Sequence, residues 1–319
     1  EIASCLVGSE MCIRDRAAMA AGITRGDEVI VPTLTFIAAV NPLTRYVGAE
    51  PIFIGCDDSL CIDPDAVEDF CANHCELRGD KLYNKKTGAH VKALEVVHVF
   101  GNMADMPRLT AIAKRYHLIL IEDATEALGT RCTTGPFAGK FAGTIGDIGC
   151  YSFNGNKIIT TSGGGMLLCR TEDEAKHALK LSTQARENAP WYQHEEIGYN
   201  YRMSNICAGI GRGQMKVLPL RVEQKRAIFA RYCENLKGLP LTMQPELPCA
   251  ESNRWLSVAL LNEDCGVTPG EMLAKLNEAG IEGRYLWKPM HLQPVFASCP
   301  FVSAVSYTHL RAHETRGNL

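Results

Sequence analysis

No run of apolar residues in this 319-residue chain approaches the ~20 needed to span a bilayer. The opening residues also lack the basic-then-apolar order of a secretory leader, so a soluble protein without a membrane partner is expected. Neither sign of charge is in excess. Against 36 Asp and Glu stand 33 Lys and Arg, a net charge of -3, which removes the electrostatic case for nucleic acid. Internal repeats, low-complexity tracts and long flexible linkers are missing as well. Fourteen cysteines are present, but they are scattered through strand-like and helix-like runs, the usage of reduced thiols in the cytoplasm rather than of a disulfide scaffold. No metal site is signalled: Cys71, His74 and Cys75 share one helix-like stretch, yet a zinc site needs a fourth ligand or a second pair, and none lies nearby.

What the chain does contain is bulk and alternation. Hydrophobic residues make up 46% and charged residues 22%, ordinary for globular material, and the length allows one large domain with a smaller companion. From Gly26 onward the β-branched runs "DEVIVP", "EPIFIG", "VKALEVVHVFG", "HLILIED", "DIGCYSF" and "GGMLLCR" alternate with helix-like pieces. One of these is "DPDAVEDFCANHC", where Asp63 caps and Pro64 takes the first turn; another is "MPRLTAIAKRY". That alternation predicts an α/β fold with a mostly parallel sheet. After about Ile206 come a long helical stretch, the strand-like "RWLSVALL", and Thr268-Pro269-Gly270-Glu271, a capping box. They predict a smaller α+β domain. The run "RVEQKRAIFARY" reads as an amphipathic helix with a solvated basic face.

The ends differ from the rest. Residues 5–16, "CLVGSEMCIRDR", and 305–319, "VSYTHLRAHETRGNL", continue no pattern of their neighbours and are similar to translated sequencing-adapter sequence. The expected division is therefore a foreign segment at 1–16, a large cofactor-binding domain at 17–215, a truncated small domain at 216–304 and a foreign tail at 305–319.

Two stretches carry the chemistry. In "LILIEDATEALG" a strand ends and Asp123 sits at its carboxyl end, where open α/β sheets place their ligand sites, although an Asp there also serves as a plain turn cap. In "YSFNGNKIITTSGGGM" Lys157 stands between hydroxyl-bearing residues and a triple glycine, at neither the helical nor the alternating spacing of a surface charge. A lysine and a carboxylate at the ends of neighbouring strands can hold pyridoxal phosphate between them. The lysine forms the imine with the aldehyde, and the aspartate pairs with the ring nitrogen and keeps the ring an electron sink. The freed lysine then carries the α-proton. Ser152, five residues before the lysine, supplies a hydroxyl for the phosphate.

From about Gly26 to Phe301 the chain resembles the DegT-type sugar-nucleotide aminotransferases. The resemblance is carried by "GDEVIVPTLTFIAAVN", "VHVFGNMADM", "IEDATEALG", "GDIGCYSFNGNKIITTSGGGM" and "EIGYNYRMSNI". It implies the aspartate-aminotransferase fold (fold type I), with Lys157 as carrier of the cofactor and proton shuttle and Asp123 as partner of the pyridine nitrogen. It further implies that Phe36 stacks on the ring, that Ser152 is a phosphate ligand, and that Asn200 reaches the phosphate of a neighbouring subunit, hence a homodimer with shared sites. Glutamate is the implied donor. The stretches "EDATEALG", "YSFNGNKIITT" and "WKPMHLQPVF" are most similar to the branch that aminates UDP-linked 4-keto-6-deoxy-N-acetylhexosamines on routes to bacillosamine and legionaminic acid.

Two positions depart from that pattern. Glu126 stands where the family more commonly has glutamine, and a carboxylate cannot donate to the ring's phenolate oxygen unless it is protonated. The family's Gly-Thr turn, whose backbone N–H groups hold the phosphate about 25 residues before the stacking aromatic, falls here on Met11 and Cys12. That anchor is expected to be missing and the chain to be a fragment, inactive as written. Arg202, Lys288 and His291 are the candidates for contacts with the sugar nucleotide or the donor carboxylate, and His98 is expected to be a hydrogen-bonded near-core residue. Two other functions fit the fold. One is a related sugar dehydratase, which has histidine in place of the lysine and so is opposed by Lys157. The other is a non-catalytic scaffold, opposed by the set Asp123, Ser152 and Lys157.

Overall fold

The computed structural model describes residues 3–7, 10–263 and 265–303, with the side chains of residues 3, 7 and 10–12 left undescribed. Ten strands enter one sheet or its neighbours in the first part of the chain: β1 (Ala3–Val7), β2 (Glu28–Pro32), β3 (Glu50–Ile54), β4 (Cys75–Arg78), β5 (Lys81–Asn84), β6 (His90–Val97), β7 (Ile119–Asp123), β8 (Arg131–Cys132), β9 (Ile148–Ser152) and β10 (Gly165–Cys169). Four short ones follow: β11 (Leu241–Met243), β12 (Ala250–Glu251), β13 (Ala259–Leu261) and β14 (Phe301–Val302). The helices are α1 (Glu10–Ala20), α2 (Ile37–Leu43), α3 (Pro64–Asp69), α4 (Met106–Arg115), α5 (Glu172–Leu181), α6 (Asn205–Met215), α7 (Leu218–Asn235) and α8 (Pro269–Glu278).

The main sheet runs β1-β10-β9-β7-β6-β2-β3-β14, with the β4–β5 hairpin joined to β6 through β5. From β9 to β14 the pairings along this path are parallel, and β10 and β1 close one side antiparallel. This is the mostly parallel α/β sheet expected from the alternation of runs. Every residue of β2 and of β9 is buried, because both faces of a parallel sheet are covered by its crossovers. The pleat divides the apolar side chains between two cores. Val29, Val31, Ile121 and Cys150 pack with Ile13 and Ala17 of α1 on one face, while Ile30, Leu94, Leu120 and Tyr151 pack with Ala66 of α3 and Leu109 of α4 on the other. The expected caps form: Asp63 accepts the Asp65 N–H, and Thr268 with Glu271 makes a reciprocal capping box.

The opening segment is built into this fold. Strand β1 pairs antiparallel with β10, and α1 runs unbroken across residues 16 and 17, so the expected boundary there is not a structural break. Ile13, Arg14, Arg16 and Ala17 are all buried. Gly165 explains how α1 comes so close: a Cβ there would lie 1.9 Å from the Ile13 side chain. A helix needs only helix-capable residues and an apolar stripe to dock, and Ile13, Ala17, Ala18 and Ala21 supply one. Met11 and Cys12 fall in the first turn of α1, and their side chains lie outside the described residues.

The division at 215/216 falls between α6 and α7, and β11, β13 and α8 form the smaller α+β portion. That portion is stitched back onto the large one. Strand β12 pairs with β8, β14 extends the main sheet beyond β3, and Ala250, Trp255 and Val258 are buried in the large core. The tail at 305–319 lies outside the described residues.

Candidate active site

The parallel strands β2, β6, β7 and β9 end on one edge of the sheet, and their carboxyl ends bring the expected residues together. Asp123 is the last residue of β7, and Ser152 is the last of β9. Lys157 lies in the loop that carries the chain from β9 to the antiparallel β10. The loop is closed on itself where the N–H of Phe153 donates to Gly164 O and that of Thr161 to Phe153 O.

The Lys157 side chain is only 7% exposed. Its Nζ lies 3.8 Å from Oε1 of Glu126 and 4.6 Å from the centre of the Trp255 ring. Trp255 is fixed in turn, because its indole N–H donates to the carbonyl of Asn156 at 2.8 Å. Sequence reading does not single out Trp255, which reaches the lysine from nearly a hundred residues away.

Asp123 is buried and has both oxygens engaged. Oδ1 accepts the Thr125 N–H at 3.0 Å, and Oδ2 accepts the Nε–H of Arg14 at 2.7 Å. Nη2 of Arg14 donates to the Thr125 hydroxyl at 2.9 Å. Burial by itself would push this carboxyl up, but the Arg14 charge and hydrogen bond, with help from Thr125, hold it below the usual carboxylate range. It is therefore ionised. Arg14 also went unseen in the sequence, since it belongs to the segment expected to be foreign.

Glu126 behaves in the opposite way. Its Oε2 accepts the Phe100 N–H at 2.7 Å, and burial pushes its carboxyl up to about 7 against the downward pull of Lys157. A group that holds its proton near neutrality can donate a hydrogen bond, which answers the objection that a carboxylate at this position lacks a donor. The shift has a stability consequence that needs no ligand. The folded state binds this proton more tightly than the unfolded chain, so stability is full below about pH 4.5 and falls as pH rises toward 7, by on the order of 3 kcal/mol. Urea midpoints at pH 5 and pH 7.5 are expected to show Glu126→Gln gaining on the parent as pH rises. Parallel behaviour at both pH values would refute it.

The other expected residues are distributed as follows. Ser152 is buried, its Oγ accepting the Asn154 N–H at 3.2 Å. Phe36, just before α2, is 51% exposed rather than a core residue, with its ring 6.1 Å from Trp287, which packs in turn on Phe100 at 4.6 Å. His291 pairs through Nδ1 with the Thr33 hydroxyl at 2.5 Å and stacks on Phe301 at 3.7 Å, while Lys288 is exposed. The segment "WKPMHLQPVF" thus folds against the residues that follow β2. Asn200 is exposed with its backbone bridged to Thr183, and Arg202 is exposed as well.

His98 is fully buried, as expected. Nδ1 accepts the Ala104 N–H at 3.2 Å, so Nε2 carries the proton and donates to Oε2 of Glu122 at 3.0 Å. Cys71 and Cys75 are buried, with burial pushing the Cys75 thiol up to about 12 and that of Cys71 upward, while His74 faces solvent near Asp69. No group of three metal-ligating side chains occurs among the described residues, and no described helix is long and apolar enough to cross a membrane.

The model of the DegT/DnrJ/EryC1/StrS aminotransferase family matches residues 15–312. The chain belongs to this family. It is 41% identical over 303 residues, 94% of its own length and 74% of the other's, to a pyridoxal phosphate-dependent aminotransferase, EpsN, of Bacillus subtilis. To a GDP-perosamine synthase of Vibrio cholerae it is 34% identical, over 92% of this chain and 75% of that one. A DegT/DnrJ/EryC1/StrS aminotransferase from Brucella abortus superposes with a TM-score of 0.82 at 24% identity, covering 95% of this chain and 75% of its own. The fold is thus the aspartate-aminotransferase-like one that the resemblance implied, and the cofactor of this aminotransferase is pyridoxal phosphate.

The residues at the strand ends fit that cofactor. A half-buried pocket chemistry of this kind needs an amine for the aldehyde, an ionised carboxylate for the ring nitrogen and a proton-holding group for the ring oxygen. Lys157 offers a buried amine, Asp123 an ionised carboxylate and Glu126 a carboxyl that burial pushes up to about 7, while Phe36 is an exposed aromatic.

Proposed function

We propose that this member of the family moves an amino group from glutamate to the 4-keto carbon of a UDP-linked 6-deoxy-N-acetylhexosamine. The observation that carries the reading is the convergence of Lys157, Glu126 and Asp123 at the carboxyl ends of β7 and β9. Bound there, pyridoxal phosphate supplies an aldehyde for the lysine amine and a ring that accepts electrons from the carbon losing its proton.

The chain's own residues do the rest. Lys157 Nζ would take the proton from the donor's α-carbon and hold it for return, and burial beside Glu126 and Trp255 keeps the amine off bulk water. Asp123 holds the ring nitrogen, Glu126 donates to the ring oxygen, Phe36 covers a ring face, and Ser152 takes a phosphate oxygen. Arg202, Lys288 and His291 meet the sugar diphosphate or the donor carboxylate. Asn200 serves the site of a second copy, and the support for a homodimer is an uncovered apolar surface: α6 has no buried residue, and Ile197 and Ile206 are 86% and 78% exposed. All thirteen described cysteines are free thiols, which supports a cytoplasmic setting. Support for the UDP-linked sugar is the position of "WKPMHLQPVF", the stretch most similar to that branch, whose Trp287 lies beside Phe36.

A second reading, a GDP-linked sugar, is favoured by the likeness to the GDP-perosamine synthase. Turnover of the two sugar classes with glutamate at saturating cofactor, followed as 2-oxoglutarate released, separates them. The UDP-linked substrate is expected to be used at least roughly tenfold faster, a gap that one or two specific contacts supply. A preference for the GDP-linked sugar would replace the UDP assignment.

A further inference from the structure

Segment 252–255, between β12 and β13, is mostly polar, yet each of Ser252, Asn253, Arg254 and Trp255 is 6% exposed or less. Buried polar groups are costly unless they are bonded, and these are bonded to the surroundings of the site. The Ser252 hydroxyl donates to Gly101 O at 2.8 Å, and the Asn253 side-chain amide donates to the carbonyl of Glu126 at 2.9 Å. Gly101 permits that approach, since a Cβ there would lie 1.9 Å from Asn253 Oδ1. Arg254 takes a left-handed backbone (φ 50°), which a residue other than glycine keeps only where its surroundings hold it. Its guanidinium is held by Gln244 O at 2.8 Å and by the Glu246 carboxylate at 3.2 Å. Trp255 stands on this base. Its main-chain N–H donates to Asn253 Oδ1 at 2.8 Å, and its indole N–H donates to Asn156 O at 2.8 Å.

We infer that Trp255 is a positioning residue for Lys157: with its ring centre 4.6 Å from Nζ and its indole N–H on the carbonyl of Asn156, it sets the lysine in place before the cofactor arrives. The inference rests on the reading of this edge of the sheet as the cofactor site. A lysine side chain turns freely about several bonds, and the loss of that freedom on reaction opposes uptake. Here the residue before the lysine is tied by a hydrogen bond, and the amine is held against an aromatic face. Much of the ordering is therefore done before Nζ condenses with the aldehyde, a step that forms the C=N bond and releases one water. The tie joins the two portions of the chain. The lysine loop of the large portion is set by a residue of the smaller one, through a segment that Asn253 fastens to the turn carrying Glu126.

Two ligands separate placement of the lysine from general damage to the site. Pyridoxal phosphate bonds to Nζ, whereas pyridoxamine phosphate, with an amine in place of the aldehyde, fills the same site without that bond. Both are titrated by calorimetry into the parent, Trp255→Leu and Trp255→Phe. Borohydride trapping with mass mapping reports the adduct on Lys157, and circular dichroism reports the fold. Trp255→Leu is expected to bind pyridoxal phosphate roughly tenfold more weakly and pyridoxamine phosphate within about twofold of the parent, the scale of one aromatic contact and one hydrogen bond acting on the lysine alone. Trp255→Phe, which keeps a smaller ring and loses the N–H, is expected to fall between, and it decides by the same criterion should Trp255→Leu not fold. Equal weakening for both ligands, or unchanged pyridoxal phosphate binding in a folded variant, would overturn the role of Trp255. Absence of any adduct on Lys157 in the parent would overturn the cofactor site itself, and the role of Trp255 with it.

Discussion

Lys157→Ala is expected to abolish borohydride-trapped cofactor and to lower transamination by at least about a thousandfold, the scale of losing a covalent carrier and a proton-transfer group together. The expectation rests on position as well as residue type. Nζ is confined by Glu126 at 3.8 Å and by the Trp255 ring at 4.6 Å, in a loop that ties itself between β9 and β10. Removing the amine also leaves Glu126 without the nearby cation that pulls its carboxyl down, so that carboxyl should hold its proton to still higher pH. Lys157→Arg separates the two roles. It keeps a cation beside Glu126 and should fold like the parent, yet it cannot form the covalent link. Mass mapping that finds the adduct on another lysine, or turnover within tenfold of the parent in either variant, would remove Lys157 from the mechanism.

Glu122→Ala is expected to be the most damaging single change to stability, at about 4 kcal/mol or more, because it leaves several buried donors without an acceptor at 1 to 3 kcal/mol each. Glu122 precedes Asp123 on β7 and therefore points to the opposite face of the sheet. Its carboxylate is fully buried and accepts the N–H groups of Gly143 at 2.8 Å, Ile145 at 2.6 Å and Gly146, together with the His98 ring at 3.0 Å. That carboxylate pins the 143–147 loop beneath the β7 and β9 ends. Gly149 allows the close approach, since a Cβ there would meet Gly143 O at 1.9 Å. Glu122→Gln retains one acceptor oxygen but turns a donor toward another donor, and should cost about half as much. Equilibrium urea unfolding measures both. A loss below about 1 kcal/mol for Glu122→Ala would mean that water or a shifted loop replaces the carboxylate.

Glu122 and Asp123 are adjacent residues of one strand and differ in task for a reason. In "IED" the alternation of β7 aims Glu122 at the scaffold and Asp123 at the site, so a single short strand both braces the sheet edge and arms it. The motif shows which residue ends the strand. It does not show that the preceding glutamate holds the loop from the next crossover, because that loop's N–H groups are gathered there only by folding.

Legibility in the sequence follows the range of the interactions involved. Strand and helix alternation, the Asp63 and Thr268 caps and the placing of Asp123 and Ser152 at strand ends, with Lys157 in the loop that follows, are local matters of period, capping and chain direction, and the sequence by itself determined them. Only the tertiary structure decided the rest. Arg14 reaches Asp123 across 109 residues, through a helix whose residues carry no motif of the site. Trp255 reaches Lys157 from the smaller portion of the chain. Phe36 stands 51% exposed with its ring 6.1 Å from that of Trp287, which packs in turn on Phe100. Most of all, two carboxyl side chains take opposite states three positions apart. Asp123 is an anion because a guanidinium sits against it, and Glu126 holds a proton to about pH 7 because burial there outweighs Lys157 at 3.8 Å. Charge state depends on solvent exclusion and on distances between residues remote in the chain, and both come into being only when the sheet and its helices close.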